Sequence, residues 1–150
     1  MKPYRAFCDA IRLRESSDNY SCINSLGYLG GYQFGMARLC DLGLARRKAN
    51  SGRGYSNGLF EFIDPNGRGA FLGNRQLQDD TFDRHVQALK RLILMRLPDS
   101  VDNMSGEIAT CHLLGFGGLD KFIRHKIDLV DAFGTKASEY YLLFKDYEIP

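Results

Sequence analysis

The chain has 150 residues, of which 44% are hydrophobic and 25% are charged, and its formal net charge is +2. This composition is typical of a soluble globular protein and excludes an intrinsically disordered one. The length predicts a single domain, residues 1–150, that buries a substantial core. No run of apolar residues is long enough to cross a bilayer.

The first predicted helix spans residues 3–15. Its apolar residues recur at helical spacing: Tyr4, Phe7, Cys8 and Ile11. Its charged residues are expected on the opposite, solvated face: Arg5, Asp9 and Arg12. Glu15 lies four residues after Ile11, so it continues the apolar stripe. This carboxyl group is either paired with Arg12 or Arg14 or held half-buried at the edge of a cleft.

The half-buried alternative gives Glu15 a chemical role. Burial disfavours the charged form of a carboxyl group and raises its pKa toward neutrality. A carboxylic acid that keeps its proton near pH 7 can donate it to a leaving oxygen. Glu15 is therefore the first candidate catalytic residue of the chain.

A stretch rich in glycine and aromatic residues follows Glu15 and predicts an irregular loop over residues 16–33. Gly27, Gly30 and Gly31 allow tight turns and a close approach of the backbone to a ligand. Four tyrosines either stack on sugar faces or pack the loop onto the core, and both alternatives stay open: Tyr20, Tyr28, Tyr32 and Tyr55.

Short elements are predicted between residues 34 and 73. Residues 34–42 form a short helix that ends at Gly43. Residues 59–63 form the one convincing strand, and residues 64–67 form a turn after it, which gives a small β-hairpin or an irregular flap. Four basic residues cluster before this strand and suit a polyanion or an anionic cell wall: Arg46, Arg47, Lys48 and Arg53.

A long central helix is predicted from its N-cap Asn74 to Leu97, where Pro98 ends it. Its core residues follow three- and four-residue steps: Phe82, Val86, Leu89, Ile93 and Leu97. His85 and His125 are expected on exposed, polar helix faces. The predicted fold class is α+β and mainly α.

Three further helices are predicted after the central one, over residues 105–114, 119–127 and 135–144. A glycine-rich segment, residues 115–118, separates the first two. Four scattered cysteines lack the spacing of zinc ligands, and we expect buried thiols rather than disulfides: Cys8, Cys22, Cys40 and Cys111. No metal or other cofactor is expected.

Four segments, in this order along the chain, carry a resemblance to a known superfamily. Residues 15–16 (ES) resemble the Glu-Ser motif of lytic transglycosylases and goose-type lysozymes. Residues 27–33 (GYLGGYQ) resemble their Gly-x-x-Gly-x-x-Gln motif, and residues 109–118 (ATCHLLGFGG) resemble their third motif. Residues 131–140 resemble the end of the phage-type domains. The ordered set resembles the lysozyme superfamily, which implies a lysozyme-like fold with a long central helix and a small β-hairpin flap.

The resemblance implies a role for each matching residue. Glu15 is implied as the catalytic general acid, and Ser16 as the residue that orients it or contacts the sugar. Tyr32 and Gln33 are implied to line the glycan groove. His112 falls where the commoner third motif has a tyrosine that bonds the catalytic glutamate. A histidine there either takes that role or holds the helix packing, and His112 is a candidate substrate-binding residue.

The identity of a second catalytic carboxylate stays open. Cleavage of a β-1,4 glycosidic bond needs an acid at the leaving oxygen, and hydrolysis commonly uses a second carboxylate. The second acid of phage lysozymes falls on Asn24 here, which becomes a candidate substrate-binding residue. Glu61 and Asp64 lie on the predicted flap, and Asp64 is the candidate catalytic base. The resemblance to lytic transglycosylases implies the other route, in which the sugar's own hydroxyl at carbon six attacks.

The resemblance implies cleavage of peptidoglycan between N-acetylmuramic acid and N-acetylglucosamine, by a muramidase or a lytic transglycosylase. Expected partners are glycan strands and, for an effector toxin, an immunity or inhibitor protein, whereas nucleic acid and membranes are not expected. We expect a monomer, because a long strand needs an open cleft. The alternative is a non-catalytic cell-wall glycan-binding module with the same fold.

The N-terminal sequence bears on how the protein reaches the cell wall. The N-terminal residues lack the apolar stretch and the cleavage site of a secretory signal. We therefore expect a phage-type lysin or a secreted effector that is made in the cytoplasm and acts in the periplasm or on the cell wall after delivery.

Overall fold

The computed structural model describes residues 1–99 and 101–150. The described part of the chain is mainly helical and contains one small antiparallel sheet, which confirms the predicted class, α+β and mainly α. Its helices and strands follow one another in this order: α1 Tyr4–Ser16, α2 Met36–Asp41, β1 Ala45–Arg47, β2 Phe60–Phe62, α3 Gly67–Leu72, α4 Arg75–Arg96, α5 Met104–His125 and α6 Ala137–Phe144.

The small sheet pairs β1 with β2, and Arg46 lies opposite Glu61. The sequence predicted only the second of these strands. The partner strand lies upstream, so the hairpin does not close through the turn at residues 64–67. That turn leads instead into α3, a helix that we did not predict because Gly67 and Gly69 are poor helix formers.

The long central helix α4 begins as predicted. Asn74 Oδ1 accepts a hydrogen bond from the backbone N–H of Leu77 at 3.0 Å, as an N-cap side chain does. The five residues predicted for its core face are all buried: Phe82, Val86, Leu89, Ile93 and Leu97.

His85, also on α4, corrects a prediction, because it is only 3% exposed instead of lying on the surface. Its ring lies edge-on to Phe34, with the ring centroids 5.6 Å apart. Arg38 Nε donates a hydrogen bond to His85 Nδ1 at 2.7 Å. His125 does lie on the surface, as predicted.

Helix α5 bends at Gly115, whose φ of +74° is non-helical. The predicted interruption is therefore confirmed, although the helix resumes at once instead of at residue 119. Asn103 caps the helix, since its side chain accepts a hydrogen bond from the backbone N–H of Gly106. Helix α6 begins two residues after its predicted start.

The chain divides into two compact units, which are described separately below. The terminal unit contains Met1–Ile11 and Val86–Pro150, and the central unit contains Arg12–His85. Both boundaries fall inside helices, α1 and α4. The single domain over residues 1–150 stays a prediction.

The four cysteines are thiols in this structure, buried at Cys8 and Cys111 and half-buried at Cys22 and Cys40. Of the helices in residues 1–99 and 101–150, none combines the length and the apolar character that a membrane span requires.

A buried carboxyl group lies in the first turn of α5, in the terminal unit. Glu107 is 1% exposed, and its Oε1 accepts a hydrogen bond from the backbone N–H of Asp102 at 2.8 Å. Its Oε2 has no hydrogen-bond partner among the described residues. Burial raises the pKa of Glu107 above its ordinary value, although the two backbone hydrogen bonds oppose the rise. Nearby, burial and then the charges of Glu107, Asp102 and Asp146 raise the pKa of Tyr141 to about 12.

We predict that Glu107→Gln increases stability at neutral pH relative to the wild type. A carboxyl group whose pKa is raised by folding stabilises the fold below its unfolded pKa, and this contribution is lost as pH rises through the folded pKa. A rise of one in pKa corresponds to about 1.4 kcal/mol of unfolding free energy. The gain of the neutral variant over the wild type should therefore grow from pH 4 to pH 7, which urea unfolding at several pH values measures.

Glu148→Gln is the matched control, because Glu148 is exposed. Its stability should follow the wild type across the same pH range. A Glu107→Gln variant whose advantage stays constant or shrinks as pH rises would contradict the burial argument.

Candidate active site

The end of α1 places Glu15 and Ser16 in the central unit. Glu15 is half-buried, as its spacing from Ile11 predicts. The chain turns sharply after the helix, because Ser17 and Asp18 have positive φ values of 55° and 63°. Glu15 therefore lies in the last turn of a helix, next to the point where the chain changes direction.

Ser16 fastens this helix end to the glycine-rich loop. Its Oγ lies 2.8 Å from the carbonyl oxygen of Gly31 and 3.1 Å from that of Arg12. The same oxygen accepts a hydrogen bond from the backbone N–H of Asn19 at 3.0 Å. With these partners Ser16 holds the end of α1 against the loop. Its implied roles, to orient Glu15 or to contact the sugar, stay predictions.

The loop that follows closes on itself between Leu29 and Phe34. The backbone N–H of Phe34 donates to the carbonyl of Leu29 at 2.8 Å, and the reverse bond is 3.0 Å long. Gly30 has a φ of +79°, and a Cβ at this position would lie 2.3 Å from Gln78 Oε1. Only glycine fits this point of the loop.

The two groove residues implied by the resemblance are buried in this loop. Tyr32 is 1% exposed and stacks on Phe82, with ring centroids 4.1 Å apart. Gln33 is also buried, and its Nε2 donates to the carbonyl of Gly30 at 3.0 Å. This corrects the expectation that both side chains line an open groove, because their polar atoms instead hold the loop in place.

A polar cluster joins α1, this loop and α4 inside the central unit. Arg12 is 8% exposed, which corrects its placement on the solvated face. Its guanidinium donates to the Tyr32 hydroxyl at 2.7 Å and to Asp18 at 2.9 Å. It also lies 3.6 Å from Asp79, whose Oδ1 accepts hydrogen bonds from the hydroxyls of Tyr20 and Tyr32 at 2.8 and 2.7 Å. A buried guanidinium is tolerable here because it is both paired and hydrogen-bonded.

Tyr20 belongs to the same cluster. Burial, and then its hydrogen bond to Asp79, raise the pKa of Tyr20 to about 12. Its hydroxyl consequently stays a proton donor to Asp79 throughout the physiological pH range. Of the tyrosines considered for sugar stacking, Tyr20 and Tyr32 therefore pack and fasten the loop, whereas Tyr28 and Tyr55 are exposed.

Asn24 organises the segment between α1 and the loop. Its Oδ1 accepts hydrogen bonds from the backbone N–H groups of Leu26 and Tyr28, at 2.9 and 3.0 Å. The side chain thereby shapes a turn, a common use of asparagine in loops. Its proposed contact with substrate stays a prediction.

A pocket of about 550 Å³ opens in the central unit between this turn and the flap. Its walls come from the turn, the 3-10 helix Asn57–Leu59, β2 and the start of α3: Ser25, Leu26, Gly27, Leu29, Met36, Lys48, Asn57, Gly58, Phe60, Glu61, Phe62, Asp64, Pro65 and Arg68. Both flap carboxylates, Glu61 and Asp64, belong to this lining, and Glu15 does not. The volume is within the ordinary range of small-molecule sites.

The side chain of Asp64 accepts a hydrogen bond at Oδ1 from the backbone N–H of Asn66 at 2.9 Å. Glu61 pairs with Arg46 across the sheet, with Arg46 Nε 3.2 Å from Glu61 Oε1. Both carboxylates are exposed. A role of Asp64 as a catalytic base stays a prediction.

In the terminal unit, His112 lies half-buried on α5, three residues before the bend at Gly115. Its role beside the catalytic acid stays a prediction. The described part of the chain contains no group of three or more His, Cys, Asp or Glu side chains placed to hold a metal ion.

Comparison with known proteins leaves the family open. No family model, no curated protein and no solved structure matches this chain. The relation to the lysozyme superfamily is therefore a resemblance in ordered motifs, and what it implies is a proposal.

The sequence did contain the signal for two residues that we misplaced. Arg12 lies four residues after the buried Cys8, so its spacing already allowed the core face. His85 lies three residues after Phe82 and four before Leu89, both of which are buried. In both cases the helical spacing, and not the polar residue type, indicates the correct face.

Proposed function

We propose that this protein cleaves the glycan strands of peptidoglycan at the β-1,4 bond between N-acetylmuramic acid and N-acetylglucosamine, in a lysozyme-like fold. Glu15 is the general acid. The observation that carries the proposal is the junction at Ser16, where the end of α1 is bonded to the loop that resembles the second motif. Two motifs separated by ten residues thus meet beside a half-buried carboxyl group.

The polar cluster supports this role because it fixes the backbone that carries Glu15. Arg12 is one helical turn before Glu15 and is bonded to Tyr32 and Asp18. A general acid is effective only when it is held within hydrogen-bond reach of the leaving oxygen. The contacts of Arg12 and Ser16 oppose fraying of the last turn of α1 and so keep Glu15 in one place.

We further propose the route that needs only one acid. Glu15 gives its proton to the leaving O4 oxygen as the bond from C1 to O4 breaks. The hydroxyl at carbon six of the same muramic acid forms the new bond to C1 and returns a proton to the Glu15 carboxylate. The product ends in a 1,6-anhydro sugar, and no water is consumed.

We predict that the purified protein releases muropeptides from isolated sacculi and that mass spectrometry finds 1,6-anhydro-muramic ends. Reducing ends would instead show hydrolysis, and Asp64, the flap carboxylate of the pocket, would then be the first base to test. Binding to sacculi without any release would contradict an enzyme and support the glycan-binding module.

The proposed enzyme would be a bacteriolytic protein, either a phage-type lysin or an effector delivered to the cell wall of a rival. Its expression in the periplasm of a test bacterium, directed by an added secretion signal, should lyse the cells, while the same chain kept in the cytoplasm should not.

A further inference from the structure

The pocket of the central unit contains charges that the proposed cleavage does not use. Two basic side chains, Lys48 and Arg68, line it together with the acidic Glu61 and Asp64. Neither basic side chain has a hydrogen bond or an ion pair among the described residues. The pocket therefore contains two basic and two acidic side chains that do not form ion pairs with one another in the described structure.

Two neighbouring arginines, in contrast, have partners within the structure. Arg46 is paired with Glu61, and Arg47 donates to the carbonyls of Gly52 and Gly54 at 3.1 and 2.8 Å. The guanidinium of Arg47 also lies over the ring of Phe60, 4.7 Å from its centroid. Arg46 and Arg47 thus have contacts within the described structure, whereas Lys48 and Arg68 line the pocket without such a contact.

The charged residues of the pocket come from different elements of the central unit. The backbone N–H of Lys48 donates to the carbonyl of Leu59 at 2.9 Å, so Lys48 extends the strand pairing by one residue. Arg68 lies in α3, and the turn before that helix carries Asp64. Apolar side chains complete the lining between them: Leu29, Met36, Phe60 and Phe62.

We propose that this pocket binds a short peptide that carries carboxylate groups and one ammonium group. The carboxylates would contact Lys48 and Arg68, the ammonium would contact Asp64, and the peptide's methyl and methylene groups would lie on the apolar lining. The peptide stem attached to muramic acid has this chemistry, so the inference rests on the proposed function and names the substituted, peptide-bearing strand as the substrate.

A binding measurement that needs no turnover tests the proposal. The stem tetrapeptide alanyl-γ-glutamyl-diaminopimelyl-alanine is acetylated at its N-terminal amine, so that one ammonium group remains as in the peptide attached to muramic acid. It is titrated into the full chain, and binding is followed by calorimetry. We expect saturable binding that weakens with salt, because exposed charges are screened. Replacing both Lys48 and Arg68 by Gln should weaken binding about tenfold, because each exposed ion pair makes a modest contribution to binding.

Arg53→Gln is the matched control, because Arg53 is an exposed arginine between β1 and β2 that does not belong to the pocket lining. It should bind the tetrapeptide as the wild type does. A tetrapeptide acetylated at its amino groups should bind more weakly, which tests the acidic side of the pocket. Absence of saturable binding, or wild-type affinity in the double variant, would overturn the proposal.

The same variants separate this inference from the proposed function. On strands stripped of peptides by an amidase, the double variant should cleave at the wild-type rate, and on intact sacculi its KM should rise. A wild type that cleaves nothing would defeat the proposed function, and the tetrapeptide titration would still decide whether the pocket binds peptide.

Discussion

Glu15→Gln should lower the rate of muropeptide release from sacculi by at least about 100-fold, because general acid catalysis typically contributes a factor of that size or more. Glutamine has nearly the shape of a protonated glutamic acid, but its amide does not give up a proton to a leaving oxygen. The variant should therefore still bind the glycan strand. Release is measured by chromatography of the soluble products, and strand binding by sedimentation with sacculi.

Glu148→Gln is the matched control, since it makes the same chemical change at an exposed position near the end of the chain. It should release muropeptides at the wild-type rate. Circular dichroism of both variants separates a catalytic loss from a loss of fold. If Glu15→Gln and the wild type release products equally fast, Glu15 is not the acid and the proposed mechanism fails.

The helices other than α3 could be predicted from the sequence because each carries its own local signals. Asn74 marked the start of α4 by its capping side chain, and the apolar steps from Phe82 to Leu97 marked its buried face. Gly115 marked the bend in α5. Such signals depend on residues within a few positions of each other, so a single sequence contains them.

The pairing of the flap could not be predicted in the same way. β1 consists of Ala45, Arg46 and Arg47, which resemble a solvated loop when the sequence is considered alone. Their strand conformation depends on β2, more than ten residues further along the chain. Strand propensity depends on the partner strand, which local spacing does not reveal.

Individual residues of the candidate site could be predicted from the sequence, but the contacts between them could not. Glu15 and Ser16 were identified from their place at the end of a helix and from the motif they resemble. Tyr32 and Gln33 were placed on a groove, yet both are buried because the loop folds back over α4. That outcome depends on the contact between Arg12 and Asp79, which lie sixty-seven residues apart in the sequence and come together only in the folded chain.

The largest stability loss is expected for a residue that the sequence analysis did not single out. Gln78 lies on α4 with no exposed surface. Its Oε1 accepts from the backbone N–H of Gly31 at 2.8 Å, and its Nε2 donates to the carbonyls of Tyr20 and Phe71 at 2.9 and 2.8 Å. One amide group thus satisfies three backbone groups from three different segments of the central unit.

Gln78→Leu should therefore lower the free energy of unfolding by about 3 kcal/mol or more, because each buried polar group left without a partner costs about 1–3 kcal/mol. Gln76→Leu is the control on the same helix, since Gln76 is exposed and bonds only Asp80 in the described structure. Its effect should stay within about 0.5 kcal/mol. Urea unfolding measures both, and equal midpoints for the two variants would show that the Gln78 amide does not hold the loop.

The Gln78→Leu substitution should also loosen the position of Glu15 and so lower activity, if the proposed function is right. Gly31 is bonded to Gln78 through its N–H and to Ser16 through its carbonyl, so one peptide segment connects α4 with the end of α1. Freeing the N–H of Gly31 loosens the anchor of Ser16 and, with it, the last turn of α1. Under conditions where Gln78→Leu is still folded, muropeptide release should fall more than strand binding does, because positioning of the acid affects the chemical step more than it affects binding.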